Sequence, residues 1–554
     1  MVKIAIYDRY LSTAGGGERY SCKMAEILSS APGYAVNLIT DLYADLDDIS
    51  QKLNLDLSKV GLKVFPYISD DYTRKLTGEY DLFVNATYLS ALPAYGRKNI
   101  YLCYFPTPFD VDFKFIHRFL LFFFRLPAIW LFRLAGRMTG GFTEIKVEEG
   151  IYEPKRFMLR RGSWTSGRAV LEVDGNGTAL GIKNPARSLL DIMKVKVEAY
   201  SLKHGPDKGR AKKGGFKYET ELLRGEKKTV RILVGGVTGK PESGKYRIII
   251  TSDIFTPSAG HGASGDSRML GAAIYNESRT NPFKKAVLKI LGYIPLFLVT
   301  YPKNNEFLDT YQKIISISKY SDLWSKRLWN RKSTILFPPV DTESFAAGVD
   351  TVKEKAILSV GRFFPEHHNK KQYELAGIFI KMLADYPEDM KGYKLYLAGG
   401  VADRPEHTEY VERIKKLAEG HPIEIMANIS FKKLAGLFKK ASIFWHGAGL
   451  GEDEDSHPEK FEHFGITTIE AMSAGCILVV INKGGQKEII KDGIDGFFFE
   501  DLEGLSKITL DIIRGEKDPG PIRKNAVQAC KRFSNDIFEE ELLSIIKEAV
   551  RDIT

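Results

Sequence analysis

Cysteine is scarce in this chain: four residues in 554, at Cys22, Cys103, Cys476 and Cys530. None form a CxxC pair and no His/Cys cluster has metal-ligand spacing, so a structural zinc and a secreted disulfide framework are not expected. The N-terminus "MVKIAIYDRY" lacks an apolar run with a cleavage site, which argues against a signal peptide. Internal repeats and a disorder signature are missing too. The greasiest stretch, residues 117–138, never runs more than seven residues without an arginine. No groove-reading helix or RNA-binding motif appears, so nucleic acid is not an expected partner despite a net charge of +10. That basic balance instead suits anionic lipid or phosphorylated substrates.

The length implies two to four domains. "VKIAIYD" followed by "LSTAGGGERYSCKMAEILSS" is strand, glycine turn and helix, the opening of a doubly wound α/β unit. Short apolar strands continue through "YAVNLIT", "YDLFVNAT" and "KNIYLCYFP", then resume at "YQKIISISKYSDLW" and "KSTILFPPVD". A second series starts at "KAILSVGRF" and runs to "GFFF". Two such series predict an α/β fold class of two Rossmann-like domains with a cleft between them. Between them, "EIKVEEGIY", "RAVLEVDGNGTALGI", "MKVKVEAYSL" and "KYRIIITSD" alternate with period two and are punctuated by Gly, Asn and Asp, predicting an inserted all-β, sandwich-like domain. The expected boundaries are 1–139 and 282–338 for the N-terminal domain, with a surface helix over 114–138, and 140–281 for the insert. The C-terminal domain takes 339–520, a helical segment 521–554, and "PPVD" at 338–341 is the hinge candidate.

The most specific motif is "EHFGITTIEAMSAG", residues 462–475. A glycine turn opening a helix exposes unpaired N–H groups, so Gly465, Ile466 and Thr467 can hold a phosphate. Glu462 before the helix can accept from sugar hydroxyls, and Glu470 inside it can reach a ribose. Taken alone, the pair is as well explained as two solvated glutamates. "SVGRFFPEHHNKKQ", residues 359–372, adds Arg362 after a strand and Lys370 at a helix start, a clamp for a departing diphosphate. Glycine turns carrying Gly16, Gly17 and Gly485 allow close backbone approach. His446 in "FWHGAG" is either a donor-site residue or a structural histidine. In the insert, His261, Asp266 and Arg268 are better explained as a hydrogen-bonded loop than as a site.

Together these motifs resemble retaining glycosyltransferases of family 4, which have the GT-B fold; the resemblance covers both α/β series and excludes the insert. The family's Glu-x7-Glu motif is matched by Glu462 and Glu470, and its Arg and Lys by Arg362 and Lys370. The "GGGER" start and "EHFGI" stretch are similar to members that extend dolichol-linked oligosaccharides with mannose on the cytosolic face. The resemblance implies front-face hexosyl transfer from a nucleotide sugar, such as GDP-mannose, to a lipid-linked glycan. It implies Glu462, Arg362 and Lys370 as the catalytic set, Glu470 on the nucleotide ribose, and no metal or other cofactor. Where relatives often carry a histidine, this chain reads "YLCYFPTPFD", leaving Cys103 and Asp110 as acceptor-side candidates. A sugar-nucleotide epimerase of the same fold and a non-catalytic sugar-binding scaffold are the alternatives.

On a helical wheel the arginines of 117–138 fall within roughly 120°, opposite Phe, Leu, Ile and Trp130. That places Arg118, Arg125, Arg133 and Trp130 at an anionic membrane surface, as a peripheral protein of the cytoplasmic face. The competing expectation is burial against the β insert. A second segment, 281–303, rich in Lys at its start, is expected beside it.

Overall fold

The computed structural model describes residues 1–13, 15–40, 44–64, 70–108, 115–138, 145–151, 163–175, 178–185, 190–201, 216–232, 244–255, 270–276, 286–287, 290–291, 293–295, 298, 305–347, 351–365, 369–401 and 404–553. Asp110, His261, Asp266, Arg268, most of the basic loop 203–217 and most of 281–303 lie outside them.

Near-continuous apolar runs make strands buried on both faces, as parallel sheets require. The N-terminal sheet has β1 (Val2–Tyr7), β2 (Tyr34–Thr40), β3 (Gly61–Val64), β4 (Leu82–Asn85) and β5 (Lys98–Cys103). After the insert, β14 (Lys313–Ser316) and β15 (Thr334–Ile335) complete it. All seven pair in parallel, in the order β15-β14-β5-β4-β1-β2-β3. The C-terminal sheet has β16 (Glu354–Val360), β17 (Lys394–Gly399), β18 (Ile423–Ala427), β19 (Ala441–His446), β20 (Ile477–Ile481) and β21 (Phe497–Phe499), ordered β18-β17-β16-β19-β20-β21. In each sheet the strand order, not the strand direction, reverses beside its first strand. The crevices at the carboxyl ends of β1/β4 and β16/β19 are therefore the expected ligand sites.

The insert is antiparallel: β6 (Ile145–Ile151), β7 (Ser163–Gly175), β8 (Thr178–Lys183), β9 (Ile192–Ser201), β10 (Phe216–Leu223), β11 (Lys227–Ile232), β12 (Gly244–Ser252) and β13 (Ala273–Asn276). Rather than two separate sheets, the eight strands form one continuous ladder, because the long β7 pairs with β12 along most of its length and with β13 at its start. A single core closes it, joining Val195, Val197 and Ile248 to Leu180, Val230 and Ile274.

Six helices matter for function: α1 (Gly16–Ser30), α2 (Phe115–Met138), α3 (Lys319–Trp329), α4 (Gln372–Asp385), α5 (Ile466–Ser473) and α6 (Asn535–Val550). The expected boundary at 520 cuts through the helix Pro519–Ala529. The chain then returns to the N-terminal domain: in α6, Phe538 meets Tyr20 edge-on at 5.1 Å, and Glu548 pairs with Lys313 at 2.5 Å. A continuous buried cluster accordingly runs from Ile4 and Met24 through Phe464 and Ile469 to Phe538 and Leu542.

α2 is the exception to this burial. Phe122 is 82% exposed and Trp130 61%, whereas Ala128 and Ala135 are buried. Those two alanines are seven residues apart on one line of the helix, so the contact that holds it is narrow. Among the described residues most of its apolar side chains are exposed and not packed against the insert. Its first 21 residues, Phe115–Ala135, have a mean hydropathy of 1.6 and are long and apolar enough to cross a bilayer. Arginine content alone therefore does not exclude a span, contrary to the sequence expectation.

Close strand-end packing gives a test of the C-terminal domain. A Cβ on Gly399, the last residue of β17, would overlap the Gly361 carbonyl that follows β16. Gly399→Ala is expected to cost ~1–3 kcal/mol by overpacking, read from the urea unfolding midpoint.

Candidate active site

The carboxyl ends of β16 and β19 deliver Gly361 and Arg362 on one side and His446 on the other. α4 begins nearby, and the loop before α5 brings Glu462 into the space between them. Lys370 Nζ donates to Glu462 Oε2 at 2.6 Å, and His446 Nε2 lies 2.9 Å from the same oxygen. His446 Nδ1 is buried with no partner among the described residues, so the proton belongs on Nε2, which donates to the carboxylate. Burial pushes the Glu462 carboxyl up, but the adjacent Lys370 ammonium and the His446 hydrogen bond outweigh it and hold it well below the usual carboxylate range. Burial lowers His446 despite its carboxylate neighbour, which keeps the ring neutral. The result is an ionised carboxylate with Oε2 doubly engaged and Oε1 without a protein partner among the described residues.

Supporting contacts fix this geometry. Gln372 Nε2 donates to the carbonyls of Gly361 and Arg362 at 3.1 and 3.2 Å, locking the turn after β16. The Gly361 position has to stay bare, because a Cβ there would sit 2.5 Å from Lys370 Cγ. Arg362 is exposed, its guanidinium 4.5 Å from the Phe364 ring centroid. Gly465 caps α5 at φ 125°, a conformation open to glycine, and offers no side chain to the helix. The first N–H groups of α5, at the half-buried Ile466 and Thr467, thus remain available for an anion.

The N-terminal domain closes over this edge. A Cβ on Gly16 would meet Ile466 Cδ1 at 3.3 Å, so the "GGGER" loop abuts the start of α5. Gly17 sits beneath Tyr104, whose hydroxyl donates to the Gly17 carbonyl at 2.8 Å. Phe105 stacks on His463 with centroids 4.1 Å apart, and Tyr320 at the start of α3 extends the stack. Glu488 accepts from Lys319 N at 2.9 Å and Tyr320 N at 3.3 Å, capping α3 from the opposite domain.

Lys370 and Glu462 therefore meet directly, and Gly16 abuts Ile466 at the start of α5 beside Gly465 and Thr467. Arg362 follows β16 at the same end of the sheet, Gly17 lies against Tyr104, and Glu470 is buried within α5. Three sequence assignments change. Gly485 is buried, and its N–H donates to the Glu462 carbonyl at 2.7 Å, so it shapes the Glu462 loop and does not line the cleft. His446 is likewise buried and reaches the site only through Glu462. Cys103 does not face an acceptor: its thiol packs among Tyr7, Phe83 and Tyr101, and burial pushes its pKa far up. The sequence reading assigned no role to Tyr104, His463 and Gln372, although each lies inside a quoted motif; their place at strand and helix ends was the available signal.

Comparison with known proteins agrees with this layout. Residues 340–529 match the family described as "Glycosyl transferases group 1". The chain is 27% identical over 287 residues to "GDP-Man:Man(3)GlcNAc(2)-PP-Dol alpha-1,2-mannosyltransferase" of Dictyostelium discoideum, covering 49% of this chain and 53% of that protein. It is 26% identical over 283 residues to the human protein of the same name, covering 48% and 54%. It thus spans about half the length of the curated relatives it matches. Among solved structures, Anabaena Alr3699/HepE in complex with UDP and glucose superposes with a TM-score of 0.50 at 12% identity, covering 99% of this chain and 100% of that one. At that identity the likeness concerns the GT-B fold alone.

Removing the ammonium should expose the cost of the buried carboxylate. Lys370→Met is expected to destabilise the protein by ~2–3 kcal/mol at pH 7, a value reduced for the pair's partial exposure. Because the folded pKa of Glu462 is depressed, this loss is full at neutral pH. It should shrink as pH falls and vanish below that pKa, where the carboxyl is protonated in both proteins. Denaturant titrations between pH 7 and pH 3 check both parts.

Proposed function

We propose that the chain is a retaining glycosyltransferase that moves a hexose from a nucleotide sugar to a lipid-linked glycan. On the pattern of the relatives named above, the donor is GDP-mannose and the acceptor a dolichol-linked oligosaccharide. The single observation that carries this reading is the Lys370–Glu462–His446 cluster at the N-terminus of α5. It presents one free carboxylate oxygen, exposed helix N–H groups and a neighbouring guanidinium, which suit a sugar hydroxyl and a diphosphate side by side.

In this reading Glu462 Oε1 accepts from the donor sugar and Glu470 from the ribose. Arg362, the remaining donors of Lys370 and the start of α5 meet the diphosphate charge as it develops. The bond from the anomeric carbon to the diphosphate oxygen breaks. The acceptor oxygen bonds to the same carbon on the same face, and its proton passes to the departing diphosphate. Since fixed protein cations meet that charge, transfer is proposed to need no divalent ion.

We also assign α2 to a membrane surface on the cytoplasmic side. Its 24 residues span ~36 Å, with Arg118, Arg125 and Arg133 spaced along that length. A span would put Arg125 near the hydrocarbon centre, at a cost of ~2.5–3.5 kcal/mol. Lying at the interface lets the guanidiniums reach head groups while Phe122 and Trp130 enter the acyl boundary.

Glu462→Ala should lower transfer by at least ~10²-fold with the fold retained by circular dichroism, since an interaction used in the transition state is lost. A panel of nucleotide sugars scored for transfer to a lipid-linked acceptor, with and without EDTA, identifies the donor; undiminished turnover in the variant would refute the site. Arg125 and Arg133 changed together to Glu should abolish flotation with phosphatidylserine liposomes, while retained flotation would place α2 elsewhere.

A further inference from the structure

Chain neighbours of Lys370 and Glu462 make a second ion-pair cluster. The loop that leaves β19 places Glu452 between two lysines: Oε1 accepts from Lys371 Nζ at 3.0 Å and Oε2 from Lys460 Nζ at 2.7 Å. Lys371 follows Lys370 at the start of α4, and Lys460 stands just before Glu462 in its loop. One carboxylate thus spans the two segments that also carry the Lys370–Glu462 pair. None of the three side chains is more than 28% exposed, so solvent screens the bridge only in part. Burial pushes the Glu452 carboxyl up, but its two ammonium partners outweigh that and hold it below the usual carboxylate range.

The bridge holds backbone as well as charge. Lys371 sits at φ 59° and ψ 32°, a left-handed conformation that a bulky residue keeps only where its surroundings fix it. The same loop grips the glycine turn beneath Glu462. Lys483 Nζ donates to the Glu452 carbonyl at 3.1 Å, and Gly484 N donates to Glu454 Oε1 at 3.0 Å. Gly485 N then holds the Glu462 carbonyl from that turn.

We propose that Glu452 is a positioning residue for the donor site: by bridging Lys371 and Lys460 it sets the distance at which Lys370 meets Glu462. This rests on the donor-site reading given above. Without the bridge, the start of α4 and the Glu462 loop are free to shift relative to each other. A misplacement of about 1 Å at a fixed charged group costs up to ~10²-fold in rate.

The test compares wild type with Glu452→Gln, Glu452→Asp, Lys371→Met and Lys460→Met in the full chain, circular dichroism confirming that each is folded. The first readout is kcat/KM for transfer from GDP-mannose to a lipid-linked acceptor. Glu452→Gln, Lys371→Met and Lys460→Met should each lose about tenfold. Glu452→Asp, one methylene shorter, should fall between. Glu452→Gln combined with Lys460→Met should lose no more than either alone, because the bridge is broken only once. The second readout needs no turnover. A double-mutant cycle of Lys370→Met and Glu462→Gln, read from urea unfolding, gives the coupling between those two side chains. In the Glu452→Gln background that coupling should fall by about half. If it stays unchanged, if the losses multiply in the combined variant, or if turnover is undiminished, Glu452 does not act through the pair and the proposal fails. If wild type transfers no hexose yet the coupling falls, Glu452 still positions the pair and the donor-site reading fails instead. Should Glu452→Gln not fold, the coupling is measured in the Lys460→Met background with the same expectation.

Discussion

An ionised carboxylate kept out of water is the constraint around which the C-terminal domain is arranged. Glu462 could not stay charged in its setting without the Lys370 ammonium at 2.6 Å and the His446 hydrogen bond at 2.9 Å. That demand explains the surroundings. Gly361 stays bare so the Lys370 stem can lie across the end of β16, Gln372 pins the turn that carries Arg362, and Gly485 holds the Glu462 carbonyl. All three are structural residues whose common product is the placement of one oxygen atom.

The two domains are tied by contacts of different kinds. Aromatic stacking of Phe105, His463 and Tyr320 and the Glu488 cap on α3 join the cleft edges, while α6 crosses back and seals the first core with Phe538 and Leu542. Burial depresses His463 to about 4, so the stacked ring is neutral across the physiological range and adds no charge beside Glu462. The inserted β domain has its own closed core and shares none of the donor-site residues.

α2 stands apart in physical character. Elsewhere among the described residues exposed large apolar side chains are scattered along the chain, yet here Phe115, Phe122, Leu126 and Trp130 are exposed along one helix. A contiguous patch of that kind calls for a non-aqueous neighbour. On the proposed function, its place after strand β5 would bring it to the side from which a lipid-linked acceptor enters.

Local pattern was enough to read much of this molecule. Strands such as "VKIAIY" and "ILVVI" are apolar runs bounded by glycine turns, so both parallel sheets were legible, as was the period-two alternation of the insert. Glu462, Glu470, Arg362 and Lys370 were singled out by the family resemblance of several motifs in order, since each taken alone is equally an ordinary surface charge. Strand β13, at four residues, is too short to show an alternation, whereas β10 alternates cleanly along "FKYETELL" and was overlooked beside the basic loop that precedes it. The sequence could not show that His446 and Lys370 share one oxygen of Glu462, or that Arg19 lies beside Asp341. These pairings join residues 16 to 322 positions apart, and their geometry exists only once sheets pack and the domains close. Residue chemistry and local period were set by the sequence itself; which atoms meet, and therefore which groups stay charged, was decided by long-range packing.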